Sequence, residues 1–147
     1  LFDIFGAAEE QEYLQKIETQ IKQLPRNIQV NYKGPIPNEE LKIKLQAEYH
    51  FMLFPTKGES FSHSIVDSWS SGCPVLISDQ TPWLDLEYKS LGWNFDLRDS
   101  ISLIDSIDQA VNLNQETYKN WSNSCVSFYK KNVCSEEITN KNKFIFE

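Results

Sequence analysis

Short apolar runs alternate along this chain with longer stretches whose apolar residues recur at helical spacing, and that alternation limits the fold more than any other feature. Residues 1–5, 28–32, 51–54, 74–78 (PVLIS) and 93–97 read as strands. Between the first two, residues 9–24 place Tyr13, Leu14, Ile17, Ile21 and Leu24 on a helical repeat that stops at Pro25. Pro37-Asn38-Glu39-Glu40 opens a second helix with Leu41, Leu45 and Tyr49 on one face. A third helix is expected at 62–71, ended by Gly72, then a short helical stretch near 84–89 and helices near 100–113, 115–132 and 135–144. Mostly apolar strands alternating with helices predict an α/β fold: a Rossmann-like parallel sheet with helices on both faces. In such sheets ligands sit beyond the carboxyl ends of the strands, which singles out the loops after Phe5, Tyr32, Phe54 and Ser78.

At 147 residues the chain suits one domain, and 40% apolar residues suffice for a core. The net charge of −7 argues against a nucleic-acid surface or an anionic membrane, both of which demand clustered Lys and Arg. A single nucleotide is still compatible, because helix N-termini and backbone N–H groups supply local positive potential. No apolar run approaches the roughly 18–20 residues of a membrane span, and the start lacks the basic leader of a signal peptide. Cys73, Cys125 and Cys134 show no CxxC spacing and read as reduced thiols of a cytoplasmic protein, Cys73 as a small buried residue. With only two histidines no metal site is expected, nor is a cofactor, and neither a G-x-S-x-G nor a Walker A motif occurs. The abrupt apolar start, without Met, suggests a fragment of a longer protein.

The most informative segment is 55–78, PTKGESFSHSIVDSWSSGCPVLIS: strand end, polar loop with Gly58, serine-rich helix start, Gly stop, next strand. Ser60, Ser62 and Ser64 either cap the helix or leave its first N–H groups facing a ligand, and that terminus suits a phosphate. Ile65 and Trp69, four residues apart, share a core-facing side. Asp67 lies about 160–200° from both and points away from that core. Glu59 in the loop and Asp67 on the helix can then line one cleft and accept hydrogen bonds from hydroxyls. The plainer alternative is that acids near a helix start only favour its dipole, by ~0.3–1 kcal/mol.

This segment resembles the E-x7-E region of retaining GT-B glycosyltransferases, particularly glycosyltransferase family 4. The matching residues are Pro55-Thr56, Glu59, Phe61, Asp67 and Gly72-Cys73-Pro74-Val75, and Ser78-Asp79-Gln80-Thr81-Pro82-Trp83 looks like a variant of the family's next segment. Residues 1–6 and Lys33-Gly34-Pro35-Ile36 match upstream, and the resemblance runs in order to about Leu97. It implies the C-terminal, nucleotide-sugar-binding domain of a GT-B enzyme, spanning 1–147. It further implies transfer of a sugar from a nucleoside diphosphate sugar to an acceptor hydroxyl with retention. Asp67 would bind the ribose, and Glu59, the catalytic residue, would face the transferred sugar. Gly58, Ser60, Phe61, Ser62, His63 and Ser64 would surround sugar and diphosphate, and Gly34-Pro35 would lie against the base. The sequence departs from the family where Asp67 replaces the usual Glu and Ser62 a frequent Gly. The family's first strand, its Arg/Lys loop and the N-terminal acceptor domain are not matched, so this chain alone is expected to be inactive. The alternative is a noncatalytic nucleotide-binding or protein-interaction module on the same fold.

Other residues carry competing readings. His63 either touches phosphate or caps locally; His50 reads as structural. Lys57 either neutralises phosphate or is simply solvated, and Asp79 and Asp85 either shape a sugar pocket or form turns. Trp83 is a pocket wall or a core aromatic; Trp69, Trp93 and Trp121 read as packing residues.

Overall fold

Every strand pairing in the computed structural model, which describes residues 1–134, is parallel. The helix expected at 135–144 lies outside the described residues. The chain divides into two compact units, Leu1–Leu41 and Lys42–Glu147.

In the first unit β1 (Phe2–Phe5) pairs with β2 (Val30–Gly34), Phe2 opposite Val30 and Ile4 opposite Tyr32. The crossover between parallel neighbours is α1 (Gln11–Ile21). Two side chains fasten the pair: the Asn31 amide donates to the Asp3 carboxylate at 2.7 Å, and the Tyr32 hydroxyl to the Gly6 carbonyl at 2.8 Å. The boundary between the units falls within α2 (Asn38–Ala47).

The second unit holds β3 (Met52–Phe54), β4 (Val75–Ser78) and β5 (Gly92–Phe95) in that spatial order. Met52 pairs with Val75, and Val75 in turn with Gly92. Strand alternation gives the central strand two interior faces. Val75 and Ile77 pack with Ile65, Val66 and Trp69 of α3 (His63–Ser70) and Cys125 of α5 (Gln115–Asn132). Leu76 faces the other way, with Trp93, Phe95 and Ala110 of α4 (Ser100–Val111). The α/β expectation therefore holds: parallel sheets flanked by helices. Trp69 is fully buried, its indole N–H donating to the Leu91 carbonyl at 3.1 Å. Truncating such a residue to alanine costs about 3–5 kcal/mol. Trp93 is buried too, and Trp121 packs on it at 4.5 Å between ring centroids.

Just before and within β5 the structure differs from the sequence reading. The short helix expected near 84–89 is a series of turns, because Asp85 and Ser90 adopt left-handed backbone (φ 58° and 56°) at either end. The last strand begins at Gly92, one residue early, and ends at Phe95. A β-carbon on Gly92 would stand 1.8 Å from the Val75 carbonyl oxygen, so only glycine fits the ladder there. Asp99 and Asn114 cap α4 and α5 through the N–H groups of Ile101 and Thr117, which sets both helix starts where the sequence placed them.

Candidate functional site

The loop after β3 is held to the end of β4 and the connection that follows it at three points. The Ser78 hydroxyl donates to the Thr56 carbonyl at 2.5 Å, the Glu59 N–H to the Gln80 carbonyl at 3.3 Å, and the Trp83 indole N–H to the Phe61 carbonyl at 2.6 Å. Both segments leave the carboxyl ends of neighbouring parallel strands. The Thr56 hydroxyl supports the turn itself, 3.1 Å from the Gly58 carbonyl and 3.4 Å from a Glu59 carboxylate oxygen. Glu59 is half-buried there, with Gly58 and Ser60 exposed beside it.

Ser62 occupies the N-cap of α3 with φ 59° and ψ 94°, and its side chain makes no capping bond. Of the two sequence alternatives for these serines, capping by Ser62 is therefore not realised. Helix geometry leaves the N–H groups of His63, Ser64 and Ile65 without intrahelical acceptors. Phe61 is 40% exposed, its ring 5.5 Å from that of exposed His63 and 5.6 Å from that of Trp83.

One turn into α3, Ile65 and Trp69 are completely buried, as their spacing required, and Asp67 is turned from them. Its carboxylate lies 3.2 Å from the Lys42 ammonium, with side-chain exposures of 20% and 37%. The Ser71 hydroxyl strengthens the same junction, 2.9 Å from the Asp67 carbonyl and 3.3 Å from that of Lys42. Tyr129 stands near both charges, and its phenol is held above the usual range, chiefly by its hydrogen bond with Cys134. Sequence reasoning missed Lys42: no local signal ties it to a residue so far along the chain.

Gly58, Glu59, Ser60, Phe61, Ser62, His63, Ser64 and Asp67 thus share one loop and the helix it feeds. Gly34 and Pro35 belong to the other unit, where Gly34 ends β2 at φ 73° and its carbonyl accepts from the Gly6 N–H at 3.0 Å. Among the described residues no cluster of His, Cys, Asp and Glu suits a metal ion. No helix among them is long and apolar enough to cross a membrane.

The family model for glycosyl transferases group 1 matches residues 1–125. The chain belongs to that family. No curated protein matches the chain. In this member of the group 1 family, backbone N–H donors at the start of α3 offer hydrogen bonds to an anion. The nearby carboxylates of Glu59 and Asp67 offer acceptors for hydroxyls.

Lys57, an alternative phosphate contact, is exposed, and so is Asp85; Asp79 is half-buried and accepts from the Gln80 amide at 2.8 Å. His50 packs edge-on to Tyr118 at 5.1 Å. Trp83 is half-buried against the core, the second of the two roles considered for it, and also braces the loop.

Proposed function

We propose that this chain is the donor-binding domain of a retaining GT-B glycosyltransferase of family 4, spanning 1–147. It binds a nucleoside diphosphate sugar and, completed by an N-terminal acceptor-binding domain, transfers the sugar to an acceptor hydroxyl with retention. Asp67 accepts from the ribose hydroxyls, and Glu59 faces the transferred sugar. Backbone at 61–64, with Gly58, Ser60 and His63 around it, receives sugar and diphosphate, and Gly34-Pro35 lies against the base. The chemistry is metal-independent: positioning, and electrostatic stabilisation of the departing diphosphate. Three free thiols, two of them buried, accord with a cytoplasmic setting.

The observation that carries this reading is the braced loop feeding an α3 start whose Ser62 side chain provides no cap, within a family matched over 1–125. A second reading, a noncatalytic nucleotide-binding or interaction module, draws support from the Lys42–Asp67 pair, which already gives the supposed ribose acid one partner. Titrating UDP-, GDP- and ADP-sugars into isotopically labelled protein separates the two. Amide shifts centred on 58–67 support donor binding; silence from all three favours the module.

A further inference from the structure

Trp83 connects the interior of the second unit to the loop proposed to receive the donor. Its ring packs edge-on against Trp69 at 5.1 Å, in the core around β4, and against Phe128 at 6.2 Å, which packs on that core. Its backbone is tied down separately: the Asn94 side-chain amide on β5 donates to the Trp83 carbonyl at 2.8 Å. The Asn94 side-chain oxygen accepts from the Leu86 N–H at 3.3 Å, and the Trp83 N–H donates to the buried Thr81 hydroxyl at 3.3 Å. From this anchored position the indole N–H reaches the Phe61 carbonyl at 2.6 Å, and the ring meets Phe61 at 5.6 Å. Phe61 immediately precedes Ser62, the non-glycine residue at φ 59° on which α3 begins. A left-handed serine persists only when its surroundings impose it. The Phe61 carbonyl belongs to the peptide unit that ends at the Ser62 nitrogen, so holding that oxygen fixes the plane from which Ser62 turns. The orientation of the N–H groups at 62–64 depends on that plane.

We propose that Trp83 is the positioning residue of the donor loop: its indole N–H, anchored through Asn94, holds the Phe61 carbonyl and so aims the Ser62–Ser64 backbone at the diphosphate. This rests on the donor-binding reading of the same loop. Trp83 does not touch the nucleotide in this scheme; it acts through Phe61. Its contribution falls on the diphosphate and not on the nucleoside.

The test is Trp83→Phe, which keeps an aromatic ring against Trp69 and Phe128 while deleting the N–H. Titrations of UDP, GDP and ADP, each with its nucleoside, read the effect. For whichever diphosphate binds the wild type, the variant should weaken affinity about tenfold, the factor set by ~1.4 kcal/mol. The matching nucleoside should move less than about twofold. Equal losses for both, or none, overturn the proposal while leaving donor binding intact. Wild-type protein that binds none of the three sinks the donor reading itself. A ligand-free measurement on the wild type covers a variant that does not fold: the Trp83 indole proton should exchange with solvent at least tenfold more slowly than that of a free indole. Exchange at the free rate overturns the strut directly.

Discussion

The Lys42 ammonium stands 3.2 Å from an oxygen of Asp67, the acid proposed to hold the ribose. A carboxylate has two oxygens and about four acceptor positions, so pairing with one ammonium leaves capacity for a hydroxyl. The pair is partly solvated, and such pairs contribute roughly 0–1 kcal/mol to stability.

Asp67→Ala should therefore weaken the bound nucleotide by tenfold or more. A hydrogen bond to a charged group contributes about 1.5–3 kcal/mol, which corresponds to that range. Lys42→Met should leave affinity within about threefold and the unfolding free energy within about 1 kcal/mol. Calorimetric titration and denaturant melts of both variants check this; unchanged affinity in Asp67→Ala removes Asp67 from the site.

Ser62→Gly should maintain or raise stability, by up to about 1 kcal/mol, because glycine adopts the φ 59° backbone without the side-chain penalty. Ser62→Val should lower it by more than about 1 kcal/mol, a β-branched residue being least tolerant of that region. Thermal melts of the two variants give opposite signs if the left-handed turn is present.

Gly92→Ala should prevent stable folding or cost more than about 3 kcal/mol. The new methyl group would meet the Val75 carbonyl oxygen at 1.8 Å, at a φ of +141°, and the backbone oxygen cannot move without breaking the ladder. Gly58→Ala, with nothing within 4 Å of the added carbon, should change stability by less than about 1 kcal/mol. Urea unfolding of both proteins measures the contrast.

Cys73 and Cys125 are completely buried, and burial pushes the Cys73 thiol up from 9.0 to about 12 and the Cys125 thiol higher still. Cys134 is exposed. A thiol reagent at pH 8 should label Cys134 in the native protein and reach Cys73 and Cys125 only after denaturation. Both buried thiols ionise more readily in the unfolded chain, so their contribution is fully present below about pH 9. It declines as pH rises towards the folded values, by at most about 1.4 kcal/mol per pH unit for each thiol. Unfolding free energies measured from pH 8 to 11 should fall accordingly, and Cys73→Ala should flatten the slope.

Much of the architecture was legible because its causes are local. The runs FMLF and PVLIS became β3 and β4, and the helix between them buried Ile65 and Trp69 as their four-residue spacing required. The starts expected at 100 and 115 are those of α4 and α5, where Asp99 and Asn114 form the caps. The positions of two acids were legible as well, Glu59 in the loop and Asp67 on the side of α3 turned from the core. Their partners were not. Lys42 meets Asp67, Trp83 meets Phe61 and Asn94 meets Trp83 only because parallel strands bring their flanking segments side by side.

The sequence by itself determined which segments are strands and helices and which side of each is apolar, since these depend on residues within one or two turns of each other. It also carried the family, through matching segments that run in order from residue 1 to about 97. Tertiary structure alone decided that Ser62 turns left-handed without capping its helix, that residues 84–89 run as turns, and that Asp67 rests against a lysine. Each of those outcomes is set by atoms distant along the chain, whose approach depends on how strands pair and cores pack, and no local pattern encodes it.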